Sequence, residues 1–362
     1  MKKSVSFIIG SMIGGGAERV ISIISEMYVK NDYEVHLIIF RKTENTYYIN
    51  PLIKCHYLSE KEGKIKRNLK LPFLLANKMK EINSNVYISF CIQENCIACL
   101  VNFFVKKKLI ISERNAPNNE KISFYLKIMR KVFYRVSDGM IFQTEDAQKS
   151  YCIELQKKSV VIANPIKDNL PDKMSYVSTK KIVAVGRLVV QKNYEMLLQS
   201  FLIFSQKFPN YKLYIYGIGP LKEKLENLSE ILGIQKKVCF MGFSKNVHLE
   251  IIDADIYVMS SDYEGMPNSL MEAMAIGIPS ISTDCPSGGP KSLIKNKENG
   301  VLVGVNDYEQ LAIEMIKLAE NQSLREKLGN EAKKIRSKYN KESIFKLWKE
   351  YTDKVQTEIV ND

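Results

Sequence analysis

A chain of 362 residues is too long for one ordinary hydrophobic core and fits two domains of roughly 180 residues each. Hydrophobic residues make up 45% and charged residues 26%, as in a globular protein, and no run approaches the roughly 20 uncharged apolar residues of a membrane span. The formal net charge of +13, from 53 basic against 40 acidic residues, points to an anionic partner: a membrane surface or a phosphate, and no nucleic acid, because the aromatics follow core periodicity instead of forming a stacking platform.

The opening Met1-Lys2-Lys3 and the short apolar run after it are too brief for a signal peptide, so a cytoplasmic chain is expected. Seven scattered cysteines suit that compartment. Cys96 and Cys99 form a C-x-x-C pair, but no second pair lies at metal spacing and the pair falls inside a helical pattern, so both are read as core.

Val5 to Ile9 reads as a first strand, after which Gly14, Gly15 and Gly16 open a helix running to about Lys30. Such glycines either let the backbone approach an anion or simply form a tight turn. The dinucleotide fingerprint G-x-G-x-x-G is absent, and no acidic residue closes the second strand, Val35 to Phe40, which argues against a nicotinamide dehydrogenase. Strand-like runs recur at Ile53 to Leu58, Val86 to Phe90, Leu109 to Ser112, Met140 to Gln143 and Val160 to Ala163, with helical patterns between them. This alternation predicts a parallel sheet covered on both faces, with ligands beyond the carboxyl ends of its strands. Gly14 to Gly16, Ser112-Glu113-Arg114-Asn115 and Gln143-Thr144-Glu145 are therefore expected to point toward one crevice.

Two helical segments of this half are basic and amphipathic. Lys64 to Lys70 precede a helix carrying Leu71, Leu74, Leu75, Met79 and Ile82 on one side, and Lys127, Lys131 and Arg135 stripe another. Each is either a solvated helix face or a surface for an anionic leaflet; with the run Lys106 to Lys108 and the overall charge, contact with an anionic membrane is the expectation.

Prolines and polar residues from 165 to 179 read as a linker. A second alternating series follows, with strands at Ile182 to Val185, Lys212 to Tyr216, Val238 to Met241, Ile256 to Met259, Ser280 to Thr283 and Val301 to Val303. The fold class is therefore α/β, two Rossmann-like parallel-sheet domains, 1–164 and 180–340, facing a central cleft, with a terminal helix in 341–362 expected to pack back toward the first domain.

In the second domain Gly186-Arg187 and Lys192-Asn193 follow a strand and flank a helix start, where an arginine fork and a lysine point charge can hold a diphosphate. Gly217-Ile218-Gly219-Pro220 offers either a flat backbone for a nucleobase or a plain turn, and Ser287-Gly288-Gly289-Pro290 offers a helix start near a ligand or, again, a turn. Glu264 lies in a loop and Glu272 on the helix that Pro267 opens and Gly277 stops, with Asn268 and Glu272 on one helical face. Asp253-Ala254-Asp255 imitates a metal motif but precedes a buried strand, so no metal is expected there.

Taken together, these ordered motifs resemble the family-4 retaining glycosyltransferases of the GT-B fold, over essentially the whole chain. Glu264 and Glu272 match that family's E-x7-E element, Arg187 and Lys192 its G-R-x-x-x-x-K-N element, and Gly14 to Gly16 its N-terminal glycine loop. Gly15 to Arg19, Ser112 to Asn115 and Cys285 to Pro290 are most similar to bacterial transferases that build capsule, O-antigen or lipid-linked oligosaccharides. The resemblance implies a nucleotide-sugar donor, most often UDP-linked, a lipid-linked saccharide acceptor, and no cofactor or metal, at the inner face of the cytoplasmic membrane.

It also implies roles for single residues. Glu272 would hold the ribose hydroxyls and Arg187 with Lys192 the diphosphate. Glu264 and Gly265, Met266, Pro267, Asn268 and Ser269 would contact the sugar, with Gly15, Gly16 and Gly217 completing the donor site. Arg187, Lys192, Glu264 and Glu113 would carry catalysis. His36, His56 and His248 match none of the places where relatives carry an acceptor-side histidine, so Glu113, with Arg114 and Asn115, is expected to orient the acceptor instead. A UDP-sugar 2-epimerase of the same fold would interconvert its donor without an acceptor, and a non-catalytic nucleotide-sugar-binding protein would turn nothing over.

Overall fold

The computed structural model of the chain describes residues 2–43, 47–59, 64–114 and 123–357, with 64–69 by backbone alone. The chain forms two compact units, one made of Met1–Pro165 with Lys341–Asp362 and the other of Ile166–Asn340.

The first unit alternates strand and helix: β1 (Ser4–Ile9), α1 (Gly16–Lys30), β2 (Glu34–Ile39), β3 (Lys54–Tyr57), α2 (Lys64–Ile82), β4 (Val86–Phe90), α3 (Ile92–Val105), β5 (Leu109–Ser112), α4 (Phe124–Phe133), β6 (Gly139–Phe142), the short helices α5 (Glu145–Lys149) and α6 (Ile153–Lys157), and β7 (Ser159–Val161). All seven strands expected from the apolar runs are present, shifted at their ends by a residue or two. They form one sheet in the order β3-β2-β1-β4-β5-β6-β7, parallel throughout. Strands such as Val-Tyr-Ile-Ser-Phe in β4 are buried on both faces, which is why they read as continuous apolar runs. One face is covered by Leu71, Leu75 and Met79 of α2, Cys96 and Cys99 of α3 and Met129 of α4. The C-x-x-C cysteines are thus packing groups, and burial pushes the Cys96 thiol up to about 12.

The terminal helix Lys341–Thr357 belongs to this unit. Its stripe of Ile344, Phe345, Trp348, Tyr351 and Val355, at helical spacing, is buried. Trp348 stacks on Phe90 of β4 with ring centroids 5.7 Å apart, the Met140 N–H donates to the Tyr351 hydroxyl at 2.8 Å, and the Tyr28 hydroxyl donates to Thr352 at 2.7 Å.

The second unit repeats the plan with β8 (Lys181–Val185), α7 (Tyr194–Lys207), β9 (Lys212–Tyr216), α8 (Lys222–Ile231), β10 (Val238–Gly242), α9 (Val247–Ile251), β11 (Ile256–Met259), α10 (Asn268–Ile276), β12 (Ser280–Thr283), α11 (Gly289–Leu293), β13 (Val301–Val303), α12 (Tyr308–Glu320), α13 (Gln322–Lys333) and α14 (Ile335–Lys338). Its parallel sheet runs β10-β9-β8-β11-β12-β13. Both sheets therefore reverse direction of strand addition beside their first strand, and that switch point is where an open α/β sheet leaves a crevice at its carboxyl edge.

Residues 166–179, within the stretch read as a linker, fall in the second unit. They are strapped to the second unit. The Lys173 N–H donates to the Ile276 carbonyl at 2.9 Å, the Tyr176 hydroxyl to the Gly277 carbonyl at 3.1 Å, and buried Arg325 donates to the Tyr176 carbonyl at 3.1 Å. The strap supplies donors to carbonyls at the C-terminal end of α10, which that helix cannot satisfy itself.

Candidate functional site

The switch point of the second unit lies between the neighbouring strands β8 and β11. The loop after β8 carries Arg187 and Lys192, and the loop after β11 carries Ser260 to Pro267. Hydrogen bonds sew the two together: the Asp262 N–H donates to the Gln191 carbonyl at 2.9 Å, the Gln191 amide to the Tyr263 carbonyl at 2.8 Å, and the Ser260 hydroxyl to the Lys192 carbonyl at 2.9 Å. Asn193, held left-handed at φ 43°, caps α7 by accepting from the Met196 N–H and donates to Asp262 at 2.6 Å. On this frame the Lys192 ammonium meets the Glu264 carboxylate at 2.5 Å, and the same carboxylate oxygen accepts from the Ser261 hydroxyl at 2.8 Å. Both side chains of the ion pair are largely buried, so removing either partner would strand a charge away from water.

Glycines hold the surrounding loops at close range. A Cβ on Gly217, whose φ is +145°, would overlap the Gly186 carbonyl, and one on Gly219 would strike the Leu188 backbone at 2.7 Å. Both glycines thus hold their turn tight against the loop that carries Arg187. A Cβ on Gly289, at the start of α11, would overlap the Gly265 carbonyl oxygen and approach Pro267 Cδ to 3.1 Å. The loop Glu264 to Pro267 therefore rests directly on the Ser287 to Pro290 turn.

Glu272 sits on α10, which has no side-chain cap at its N-terminus. Its carboxylate is 2.9 Å from the His248 ring nitrogen Nε2, contributed by α9. Met266 and Pro267 are buried, while Asn268 and Ser269 are half-buried at the helix start. Arg187 is exposed and has no side-chain partner among the described residues, unlike Lys192 in the same loop. The second unit thus brings Arg187, Lys192, Gly217, Glu264 to Ser269 and Glu272 to one edge of one sheet.

The other expected site residues belong to the first unit. Gly15 caps α1 without a side-chain hydrogen bond, and the Glu18 carboxylate folds back against it, the spacing of a capping box. Glu94, at the start of α3, presses its carboxyl against Gly10 after β1. Burial first, and Glu18 second, push that carboxyl up to about 7.

Glu113 is buried and accepts hydrogen bonds from the hydroxyls of Tyr151 at 2.8 Å and Tyr134 at 3.1 Å. Burial raises its pKa against the pull of those hydrogen bonds. Arg114 does not reach outward as a strand-end arginine was expected to. Its guanidinium lies 4.5 Å from the Phe90 ring centroid and 5.3 Å from that of Trp348, and it donates to Asn164 at 3.0 Å. Loss of water around it lowers its pKa to about 9. Asn115, the third acceptor-side candidate, lies outside the described residues.

Asp255 of the D-x-D sequence accepts from the Ser178 hydroxyl at 2.5 Å and the Thr179 N–H at 2.9 Å, and Asp253 pairs with Lys181 at 2.9 Å. Those aspartates anchor the strap entering β8. Among the described residues no group of three or more His, Cys, Asp and Glu side chains is placed to hold a metal ion. Ser261 and the His248 contact to Glu272 were not anticipated. A serine three residues before Glu264 was a visible signal for the first; nothing in the sequence links the other two, which come from separate elements.

Two Rossmann-like parallel-sheet domains in one chain are the architecture of the GT-B fold. Residues 167–335 match the family of glycosyl transferases group 1. The chain is 25% identical to an uncharacterised glycosyltransferase of Haemophilus influenzae across 96% of this chain and 99% of that one. It is 29% identical, across 95% and 96%, to the GalNAc-alpha-(1->4)-GalNAc-alpha-(1->3)-diNAcBac-PP-undecaprenol alpha-1,4-N-acetyl-D-galactosaminyltransferase of Campylobacter jejuni. In fold it is similar to Anabaena HepE, solved in complex with UDP and glucose, with a TM-score of 0.82 at 15% identity over 97% of this chain and all of the other.

Proposed function

We propose that the chain is a metal-independent retaining hexosyltransferase that moves a sugar from a UDP-linked donor to a lipid-linked saccharide during assembly of a bacterial surface polysaccharide such as capsule or O-antigen. It works at the inner face of the cytoplasmic membrane, held there by its basic helices. The observation that carries the donor half is the Lys192–Glu264 pair at the switch point, with Arg187 exposed beside it and Glu272 on the adjoining helix. In this reading the donor diphosphate takes the place of water around Arg187 and draws Lys192 toward it, while Glu264 and the Gly265 to Ser269 backbone face the sugar and Glu272 takes the ribose hydroxyls. The acceptor oxygen attacks the anomeric carbon on the face from which the diphosphate leaves. The bond from that carbon to the phosphate oxygen breaks, and the acceptor proton passes to the departing phosphate. The two cations stabilise charge that grows only as the bond breaks, so they act on the transition state more than on the bound donor. The acceptor class is supported by the Campylobacter relative, whose name gives an undecaprenyl-diphosphate-linked substrate, and the donor class by the UDP in HepE.

The test is a screen of UDP-, GDP- and other nucleotide sugars for thermal stabilisation and slow hydrolysis, with free UDP as competitor, followed by transfer to short-chain lipid-diphosphate saccharides. UDP-sugar turnover inhibited by UDP, unchanged by a chelator and yielding product of unchanged anomeric configuration is expected. Donor interconversion without an acceptor would mark an epimerase, and no response to any donor would overturn the reading.

A further inference from the structure

Most helices of the first unit bury one face and wet the other, but α4 does not. Only Met129 is fully buried, while Phe124, Tyr125, Ile128 and Val132 are each between 48% and 78% exposed. At about 100° per residue those four fall within one arc of about a quarter-turn, the core-side residues Leu126, Met129 and Phe133 occupy the next arc on one side, and Lys127 and Lys131 sit along the other margin of the apolar arc. The helix holds no carboxylate, and neither lysine has a partner among the described residues. It therefore has a packed face, an apolar outward face and a cationic edge, and an outward face of that size marks a contact surface.

The surface extends beyond α4. Helix α2 packs on α3 and α3 on α4, and all three contribute to the same core, so they form a single layer over one face of the sheet. From its outer side α3 presents Phe103 and Phe104, two exposed rings in edge contact 5.3 Å apart, with Lys106 and Lys107 just after them. On α2, Phe73 points away from buried Leu71 and Leu75 and is likewise exposed.

We propose that the outer face of this α2–α3–α4 layer docks on the anionic headgroup region of a bilayer. Helix α4 lies in the interface with Phe124, Tyr125, Ile128 and Val132 entering the acyl boundary, and Lys127 and Lys131 reach phosphates at its edge. Protein–protein interfaces are depleted in lysine at their centres, whereas an apolar arc bordered by unpaired lysines is the composition of helices that lie on membranes. No helix of the described residues is long and apolar enough to cross a bilayer, so the contact is peripheral. The inference rests on the membrane component of the function proposed above and adds which face is used and which side chains enter.

The test uses the full chain and sedimentation with vesicles of phosphatidylcholine containing 30% phosphatidylglycerol, against pure phosphatidylcholine. Binding to the anionic vesicles that weakens with salt is expected. The double variant Phe124→Ser/Ile128→Ser should raise the lipid concentration for half-binding by about tenfold or more, and Lys127→Gln/Lys131→Gln by roughly fivefold per lysine. Retained circular dichroism and retained UDP-sugar hydrolysis without vesicles show that the variants are folded. Vesicle binding that these variants leave unchanged, absence of binding by the unaltered chain, or conversion of a stable dimer to monomer by the apolar variant would each overturn the proposal. Loss of sugar turnover with vesicle binding intact would instead count against the donor reading alone.

Discussion

The contact between Gly289 and Gly265 allows a sharp test of how the donor loop is held. Gly289 is outside the left-handed region, so alanine is conformationally allowed there and the effect of Gly289→Ala is steric. The new methyl carbon would overlap the Gly265 carbonyl oxygen, lie 2.8 Å from its carbon and 3.1 Å from Pro267 Cδ. Carbon atoms rest about 3.5–4.0 Å apart, so the Gly265 to Pro267 backbone must withdraw by about 1 Å. It has little room to do so, because Leu270 to Ile276 behind it are buried. Overpacking of this kind costs about 1–3 kcal/mol. The loop that must move also carries Glu264, and a displacement of about 1 Å at a reacting group lowers rates about a hundredfold.

Gly289→Ala is therefore expected to lower kcat/KM for the nucleotide sugar by about a hundredfold and Tm by several degrees, measured by donor hydrolysis and scanning fluorimetry. Gly233→Ala, in the turn between α8 and β10, is the matched control. It has φ +70° with nothing within 4 Å, so it should cost about 1 kcal/mol of stability and leave kinetics unchanged. Donor kinetics within threefold of the parent in Gly289→Ala, with Tm intact, would refute the claim that this turn sets the position of the Glu264 loop.

Lys192→Met should lower kcat/KM by roughly two to three orders of magnitude and also lower Tm, because Glu264 loses its buried partner, whereas Arg187→Ala should lower the rate with Tm nearly unchanged, since that side chain is exposed. His248→Leu should raise donor KM more than it lowers kcat by releasing Glu272, and His248→Gln, which can still donate to that carboxylate, should restore most of the loss; equal defects in the two variants would remove His248 from any positioning role. Burial lifts the Glu94 carboxyl from 4.5 to about 7, so the folded chain holds that proton more tightly than the unfolded one. The associated stability is present below about pH 4.5 and is lost as pH rises through 7, by up to about 3 kcal/mol. Stability from urea titrations at pH 5.5 and 8 should therefore fall less with pH in Glu94→Gln than in the parent, and parallel pH dependences would refute the assignment.

The strands were legible because a parallel sheet covered on both faces demands uninterrupted apolar runs, and those runs are visible without knowing their neighbours. The two glutamates and the Arg187 and Lys192 loop were legible for a related reason: they follow strands, and strand ends in such sheets meet at the carboxyl edge. What could not be read is which strand ends remain available to a ligand. Arg114 and Arg187 look alike in sequence, each a cation just beyond a β-strand. One is roofed by Phe90 and by Trp348 from the terminal helix; the other stays exposed. A related ambiguity attends 165–179, since polar residues among prolines suit a loose connection as well as a strap whose Lys173 N–H and Tyr176 hydroxyl satisfy the end of α10. It also explains why the lysine stripe of α4 carried less information than the phenylalanines beside it: periodicity shows that a helix has an apolar side, and only packing shows whether that side is already covered. For Phe124 and Ile128 it is not, so the residues that a pattern assigns to the core become the ones that call for a partner.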